Sequence, residues 1–329
     1  MKGYKGFNKG LICHGKQYAE NTVFEEDVAV VCQKGMHFCV DPLEVLNYYP
    51  MLNKNGEENE FAEVEALDEP VTDDGKIYAS KKLKILKKIN IDELFAAATK
   101  QMIESGEASD SNNGYYAQIG SSGDYAQIWA SGLFAQIGSS GDYAKIGSSG
   151  RSARIGSSGD SARIGASGDY AKIGSSGEDA KIRSSGRFAQ IGSSGRFAQI
   201  GSSGDYAQIG SSGDYAQIWA SVEDAQIGSS GRSARIGSSG RSARIGSSGD
   251  SAKIISSGKN AVICCAGQAC AVKGKKGSWI TLAEWKWIKE EYVPVCVKTR
   301  KIDGVKIKED TFYILKNKKF TELSNVQKS

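Results

Sequence analysis

The sequence predicts a mainly β protein: a two-sheet parallel β-solenoid with a small α+β cap before it and a β-meander cap after it. Three observations predict this. Isoleucine recurs at every ninth position from Ile119 to Ile263, and Val272 continues the phase. Alanine stands two residues before each isoleucine, from Ala117 to Ala261, with Cys270 in that place in the last unit. The glycine that usually follows isoleucine is replaced by Trp129, Arg183, Trp219 and Ile255, which lie 54, 36 and 36 residues apart, all multiples of 18; Cys264 breaks this pattern, at the exit of the array.

A strict tandem period is the sign of stacked repeats, each unit burying its apolar face only against its neighbours. The consensus is G-[DR]-[YS]-A-[QKR]-I-G-S-S. Ala-x-Ile has the two-residue spacing of a strand, so both side chains point to one buried face. The Tyr/Ser and Gln/Lys/Arg positions then meet solvent. Gly-Ser-Ser-Gly reads as a turn, with glycine supplying positive φ and the hydroxyls satisfying backbone groups. A helix is excluded, because each of two glycines per unit would cost about 1 kcal/mol. The shared multiple of 18 implies two nonapeptides per coil, with nine coils from 18 units. At roughly 4.8 Å per step the rod is about 43 Å long. Its end strands need covering, which assigns the flanking segments as caps.

The organisation expected is therefore a head over residues 1–104, the solenoid over 105–273 and a tail over 274–329. The head carries 13 Lys/Arg against 18 Asp/Glu, and residues 273–329 carry 14 against 7, within a chain of net charge +4. An acidic head, a nearly neutral rod and a basic tail result. In the head, Lys2–Phe7, Val28–Cys32, Phe61–Leu67 and Lys76–Leu86 read as strands. Asp41-Pro42 opens a short helix to Tyr49, with Asp41 as its N-cap, and 90–104 reads as a second helix. In the tail, Ser278–Trp287, Val293–Lys301 and Thr311–Glu322 read as strands of a meander whose tryptophans Trp279, Trp285 and Trp287 cover the last coil. No apolar run reaches the roughly 18 residues of a membrane span, and the first ten residues lack the apolar core of a secretory signal. The seven cysteines have no disulfide-framework spacing. Reduced thiols and the cytoplasm are the expectation.

Candidate chemistry is sparse. Cys13, His14, Cys32, His37 and Cys39 are metal-ligating types, but without a CxxC pair they read as packed strand residues. Calcium-binding nonapeptides need Asp where this repeat holds Tyr, Ser or Phe. Neither a metal nor a cofactor is expected. The clearest candidate surface is a basic-aromatic strip on the rod. It comprises Lys145, Arg154, Arg163, Lys172 and Lys181, then Arg235, Arg244 and Lys253, beside Tyr143, Tyr170, Phe188 and Phe197. Cations interleaved with aromatic rings suit nucleic acid or a nucleoprotein; the same ladders also stabilise stacked strands by themselves.

Two resemblances bear on function. Lys2-Gly3-Tyr4-Lys5-Gly6-Phe7 and the run from His37 to Tyr49, together with Trp279–Trp285 and Asp310–Lys316, resemble a family of uncharacterised phage and prophage proteins in which a similar head precedes glycine-rich repeats. That resemblance implies a mobile-element origin and carries no catalytic residues. Gly35-Met36-His37-Phe38, Asp41-Pro42 and Phe61–Glu65 resemble, more weakly, the strand, helix and late glutamate of ADP-ribosyltransferase-like folds. The leading expectation is a non-enzymatic binding protein acting in the host cytoplasm. Its partner would be a host protein or nucleoprotein, or RNA, in a counter-defence role of the anti-CRISPR kind, with neither a membrane nor a small-molecule substrate involved. A virion part such as a tail-fibre or adhesin segment is the alternative, and a transferase headed by residues 1–104 is the third.

Overall fold

The computed structural model describes residues 1–42, 44–49, 59–90, 93–94, 97, 101, 110–111 and 114–323. The chain divides into two compact units, Met1–Gly106 and Glu107–Ser329. The tail thus forms one unit with the solenoid instead of a third domain.

The repeat folds as two parallel sheets. Nine repeat strands, from Gln118–Ser121 to Val262–Cys265, form one sheet, and nine, from Gln127–Ala130 to Ala271–Lys273, form the other. Each strand pairs in register with the one 18 residues on, so Gln118 meets Gln136 and Lys145 meets Arg163. Two nonapeptides close each coil, as the parity of the replaced glycines requires. Alanine and isoleucine from both sheets form one continuous core, with Ala198, Ile200, Ala252 and Ile254 fully buried. The turns are hydrogen-bonded between coils as well: Tyr125 N donates to the Asp142 carbonyl and Lys145 N to the Ala126 carbonyl, both at 2.8 Å.

The turn itself departs from expectation. The repeat glycines do not hold positive φ; the Tyr, Phe, Ser or Asp residue before each alanine does, at 57° for Tyr116 and 58° for Phe188. Crowding favours glycine there instead, and glycine holds every repeat turn but the one with Val222. A Cβ on Gly195 would lie 1.8 Å from the carbonyl oxygen of Gly177 one coil below, and one on Gly213 would lie 1.9 Å from that of Gly195. The serines also divide. The first of each pair faces the core, as Ser148, Ser202 and Ser238 do. The Oγ atoms of Ser202 and Ser238 lack a hydrogen-bond partner among the described atoms. Ala130, Ala166 and Ala220 fill the same inward position. Small size, not the hydroxyl, is what the packing needs there.

The solenoid's C-terminal end is closed by two hairpins, one on each sheet, not by a single meander. Trp279–Ile288 and Glu291–Lys301 extend the first sheet, and Tyr313–Lys316 and Lys319–Glu322 extend the second. Ile280, Leu282, Ile302, Ile307 and Leu315 cover the last coil. Trp279 and Trp287 point out to solvent, while Trp285 Nε1 donates to the Ala266 carbonyl at 2.8 Å. Covering a core with β-branched and aliphatic residues needs no indole, so the tryptophans misdirected the sequence reading.

The head is a six-stranded antiparallel sheet in the order Thr22–Glu25, Lys82–Ile89, Glu60–Ala66, Lys2–Phe7, Met36–Cys39, Ile77–Ser80. Val28–Cys32 is not a strand; it is a turn segment closed by an isolated bridge between Val30 and Lys34. The expected strand Lys76–Leu86 is two, broken at Lys81, whose halves lie on opposite sides of the sheet. The helix is Val45–Tyr48 alone, preceded by Glu44 without a side-chain cap, so Asp41 is not its N-cap. Asn90 and Glu93 form a reciprocal capping box, Asn90 N donating to Glu93 and Glu93 N to Asn90. Most of the helix expected over 90–104 lies outside the described residues.

Candidate nucleic-acid interface

Parallel in-register stacking turns each repeat position into a column, and alternate units go to opposite faces. The twelve residues of the expected strip therefore do not form one surface. Arg154, Lys172 and Arg244 lie on the first sheet, with Tyr170 and Phe188 two residues before its strands. Lys145, Arg163, Lys181, Arg235 and Lys253 lie on the second, with Tyr143 and Phe197 at its corner. The correction follows from the coil itself: neighbours nine apart in sequence stand back to back.

The two outer faces differ sharply. On the second sheet, Trp219, Arg183 and Ile255 are buried although they occupy outward positions, and Lys181 is buried with them. Arg163, Lys181, Arg183 and Lys253 already interact within the chain. On the first sheet the outward positions are exposed: Gln136, Arg154, Lys172, Gln190, Gln208, Gln226 and Arg244, each followed two residues later by glycine up to Gly246. A Cβ on Gly156, Gly174, Gly192 or Gly210 would meet nothing within 4 Å. The result is a shallow groove of about 1510 Å³ running from Gln118 to Val262. No carboxylate stands on its rungs. Its cations, Arg154 and Lys172 on adjacent rungs and Arg244 four rungs further, span about 24 Å at the rise of stacked strands.

The aromatic residues are occupied with each other. Tyr170, Phe188 and Tyr206 stack at 5.0 Å between ring centroids, nearly parallel. Tyr125 stacks on Tyr143 and Phe197 on Tyr215 at 5.1 Å. The Arg151 guanidinium lies 5.2 Å from the Tyr170 ring, and that of Arg196 lies 5.1 Å from Phe197. Ring faces turned on one another are covered within the stacks, so these residues stabilise the corners. The acidic residues stacked at 18-residue intervals, Asp124, Asp142, Asp160 and Glu178, have a structural task too. The Asp124, Asp142 and Asp160 carboxylates each accept the backbone N–H of the residue 18 positions on, at 2.8–2.9 Å. That explains an acidic run that the charge pattern alone leaves unfavourable.

In the head, Cys13, His14, Cys32, His37 and Cys39 all border one cavity. Among the described residues no group of three His, Cys, Asp or Glu side chains is placed to hold a metal. Neither Glu63 nor Glu65 borders that cavity. What sequence reasoning missed there is Lys5, which is buried in it. It shares one side of its strand with Phe7, two residues on, but which side is buried is decided by the sheet.

Residues 1–97 match the model of a family described as a domain of unknown function (DUF7666). Comparison with curated proteins gave no match, and comparison with solved structures gave none either. Among the described residues no helix is long and apolar enough to cross a membrane.

Proposed function

We propose that the protein is a non-enzymatic binding protein whose open sheet docks the phosphate backbone of a single-stranded nucleic acid, either RNA alone or the guide of a host nucleoprotein. One observation carries the reading: the exposed groove of the first sheet holds Arg154, Lys172 and Arg244 on its rungs and no carboxylate. Cations on a rigid, periodic face contact phosphates without ordering a loop first, and no carboxylate lines the groove between them. Glutamine amides on the intervening rungs donate and accept, which suits sugar and base edges. The glycine floor lets a backbone approach closely. The resemblance of the head and tail motifs to phage proteins favours a counter-defence role, with a host immune nucleoprotein as the target.

The test is fluorescence anisotropy with a labelled 20-nucleotide RNA over a salt series. Replacing Arg154, Lys172 and Arg244 together by Gln is expected to abolish measurable binding at physiological salt. It is also expected to flatten the log–log salt slope by about 2, the release expected for three single-strand phosphate contacts. Lys145→Gln on the other sheet serves as the control and is expected to change neither. Unaltered RNA affinity in the triple variant refutes the assignment. Affinity capture from infected host lysate that recovers no RNA-bearing defence complex refutes the counter-defence role.

A further inference from the structure

The head unit contains a second feature, independent of the rod. Lys5 sits in the central strand Lys2–Phe7 and is only 5% exposed. Its Nζ donates to the His37 carbonyl at 2.7 Å and lies 5.6 Å from the ring centroids of both Phe7 and Tyr18. The groups whose charges bear most on it are Cys13 and Cys39, which favour the ammonium, and Lys16, which opposes it. Burial pushes the ammonium below the ordinary lysine range. A buried cation without a counter-charge is costly, and most proteins remove it or pair it.

The surroundings of Lys5 form a cavity of about 760 Å³. Small-molecule sites occupy roughly 300–1,000 Å³. Tyr18, Phe38, Tyr48 and Tyr49 supply flat walls. The strand's two glycines admit two of those rings: a Cβ on Gly3 would lie 2.5 Å from the Phe38 ring, and one on Gly6 would lie 2.4 Å from Tyr49. Tyr49 Oη donates to Cys13 Sγ at 3.1 Å, fixing one wall. Charge on the lining runs against the unit's own balance. Among the described residues Lys5, Lys16 and Lys34 face Glu26 and Asp27, three against two, and Glu26 is already bonded to Lys16. His14 and His37 border it as well. Residues 1–104 carry 13 basic against 18 acidic groups, so the lining is less acidic than the unit around it and repels an anion less.

The geometry points to this cavity as a binding site for a small planar oxyanion, its ring held between the tyrosines and its charge received by Lys5. An aromatic carboxylate and a nucleoside monophosphate share that chemistry, and the assay separates them. The oxyanion adds a full negative charge beside the buried amine and raises its proton affinity, so binding is linked to proton uptake.

The experiment is isothermal calorimetry of the full chain at about pH 8.5 with salicylate, AMP and inorganic phosphate as probes, each in two buffers of different ionisation enthalpy. Salicylate or AMP is expected to bind with Kd below about 1 mM and uptake of up to about one proton, whereas phosphate alone binds at least about tenfold more weakly for want of a ring. Lys5→Met is expected to lose both the affinity and the proton uptake. Tyr48→Ala, on a half-exposed wall residue, is expected to weaken the ring-bearing probe about tenfold and keep the proton uptake, and it carries the test should Lys5→Met fail to fold. Failure of both ring-bearing probes to bind overturns the proposal. So does a folded Lys5→Met with the parent's affinity, or affinity in Tyr48→Ala equal to the parent's.

Discussion

The two sheets of the solenoid are written in the same nonapeptide yet present opposite surfaces. Alanine, isoleucine and the inward serine are shared, and so are the coil-to-coil backbone bonds. Although Ala130, Ala166 and Ala220 replace the inward serine on the second sheet alone, the difference lies chiefly in the residue after isoleucine. On the first sheet it is glycine from Gly120 to Gly246, leaving a floor open to solvent. On the second, Trp129 and Trp219 lie over Gly147 and Gly237, and Arg183 and Ile255 are buried. The main chain is fully engaged between coils, so an outward side chain can change without disturbing the fold. Regular positions therefore maintain the rod, and departures from them differentiate its faces.

That comparison can be broken at several points. The largest effect is expected where both sheets depend on one feature, the crowded turn. Gly213→Ala would press a Cβ into the Gly195 carbonyl and is expected to cost about 3 kcal/mol or more. Chemical denaturation checks it, and parental stability would contradict the stacking geometry. The contrast between sheets is sharpened by one substitution made twice. Gly237→Ala meets the Trp219 ring, at 1.9 Å from an ideal Cβ, and should cost about 1–3 kcal/mol. Gly246→Ala meets nothing within 4 Å and should stay within about 0.5 kcal/mol. Equal changes in thermal midpoint would erase the distinction between the faces.

Smaller effects report on the corners and the core. Phe188→Ser removes the middle of a three-ring stack and is expected to cost about 1 kcal/mol. Ser202→Ala removes a buried hydroxyl without a partner among the described atoms, so it should be neutral or stabilise by up to about 1 kcal/mol. A clear loss would mean that the hydroxyl is bonded. The smallest effect concerns pH. Bonding to the Arg187 side chain and backbone lowers the Asp169 pKa. A depressed carboxylate stabilises the folded state above its unfolded pKa of about 3.9, and the contribution is lost as pH falls through the folded value. Asp169→Asn should therefore narrow the difference in stability between neutral and strongly acidic solution, by a small amount because the pair is exposed and screened.

The head was less legible than the rod. Its strands at Lys2–Phe7 and Glu60–Ala66 follow from local alternation, but Val28–Cys32 imitates a strand in composition and is a turn. Lys5 shows the same limit: a lysine in an alternating strand reads as exposed unless its side of the strand is known. Opposite placement of the strip residues was legible in principle, since positions nine apart cannot share a face when 18 residues close a coil. The self-stacked rings were not, because sequence reports an aromatic residue and not which of its faces is free.

By itself the sequence determined the period, the core residues, the two-sheet coil and its in-register stacking, because a repeat of nine with paired departures leaves few ways to bury one apolar face per unit. Only the tertiary structure decided which outward face stays open, why the turn favours glycine, and that a lysine enters the head's cavity. Those depend on atoms brought together from neighbouring coils or distant strands, where excluded volume and desolvation act between residues that no local pattern connects.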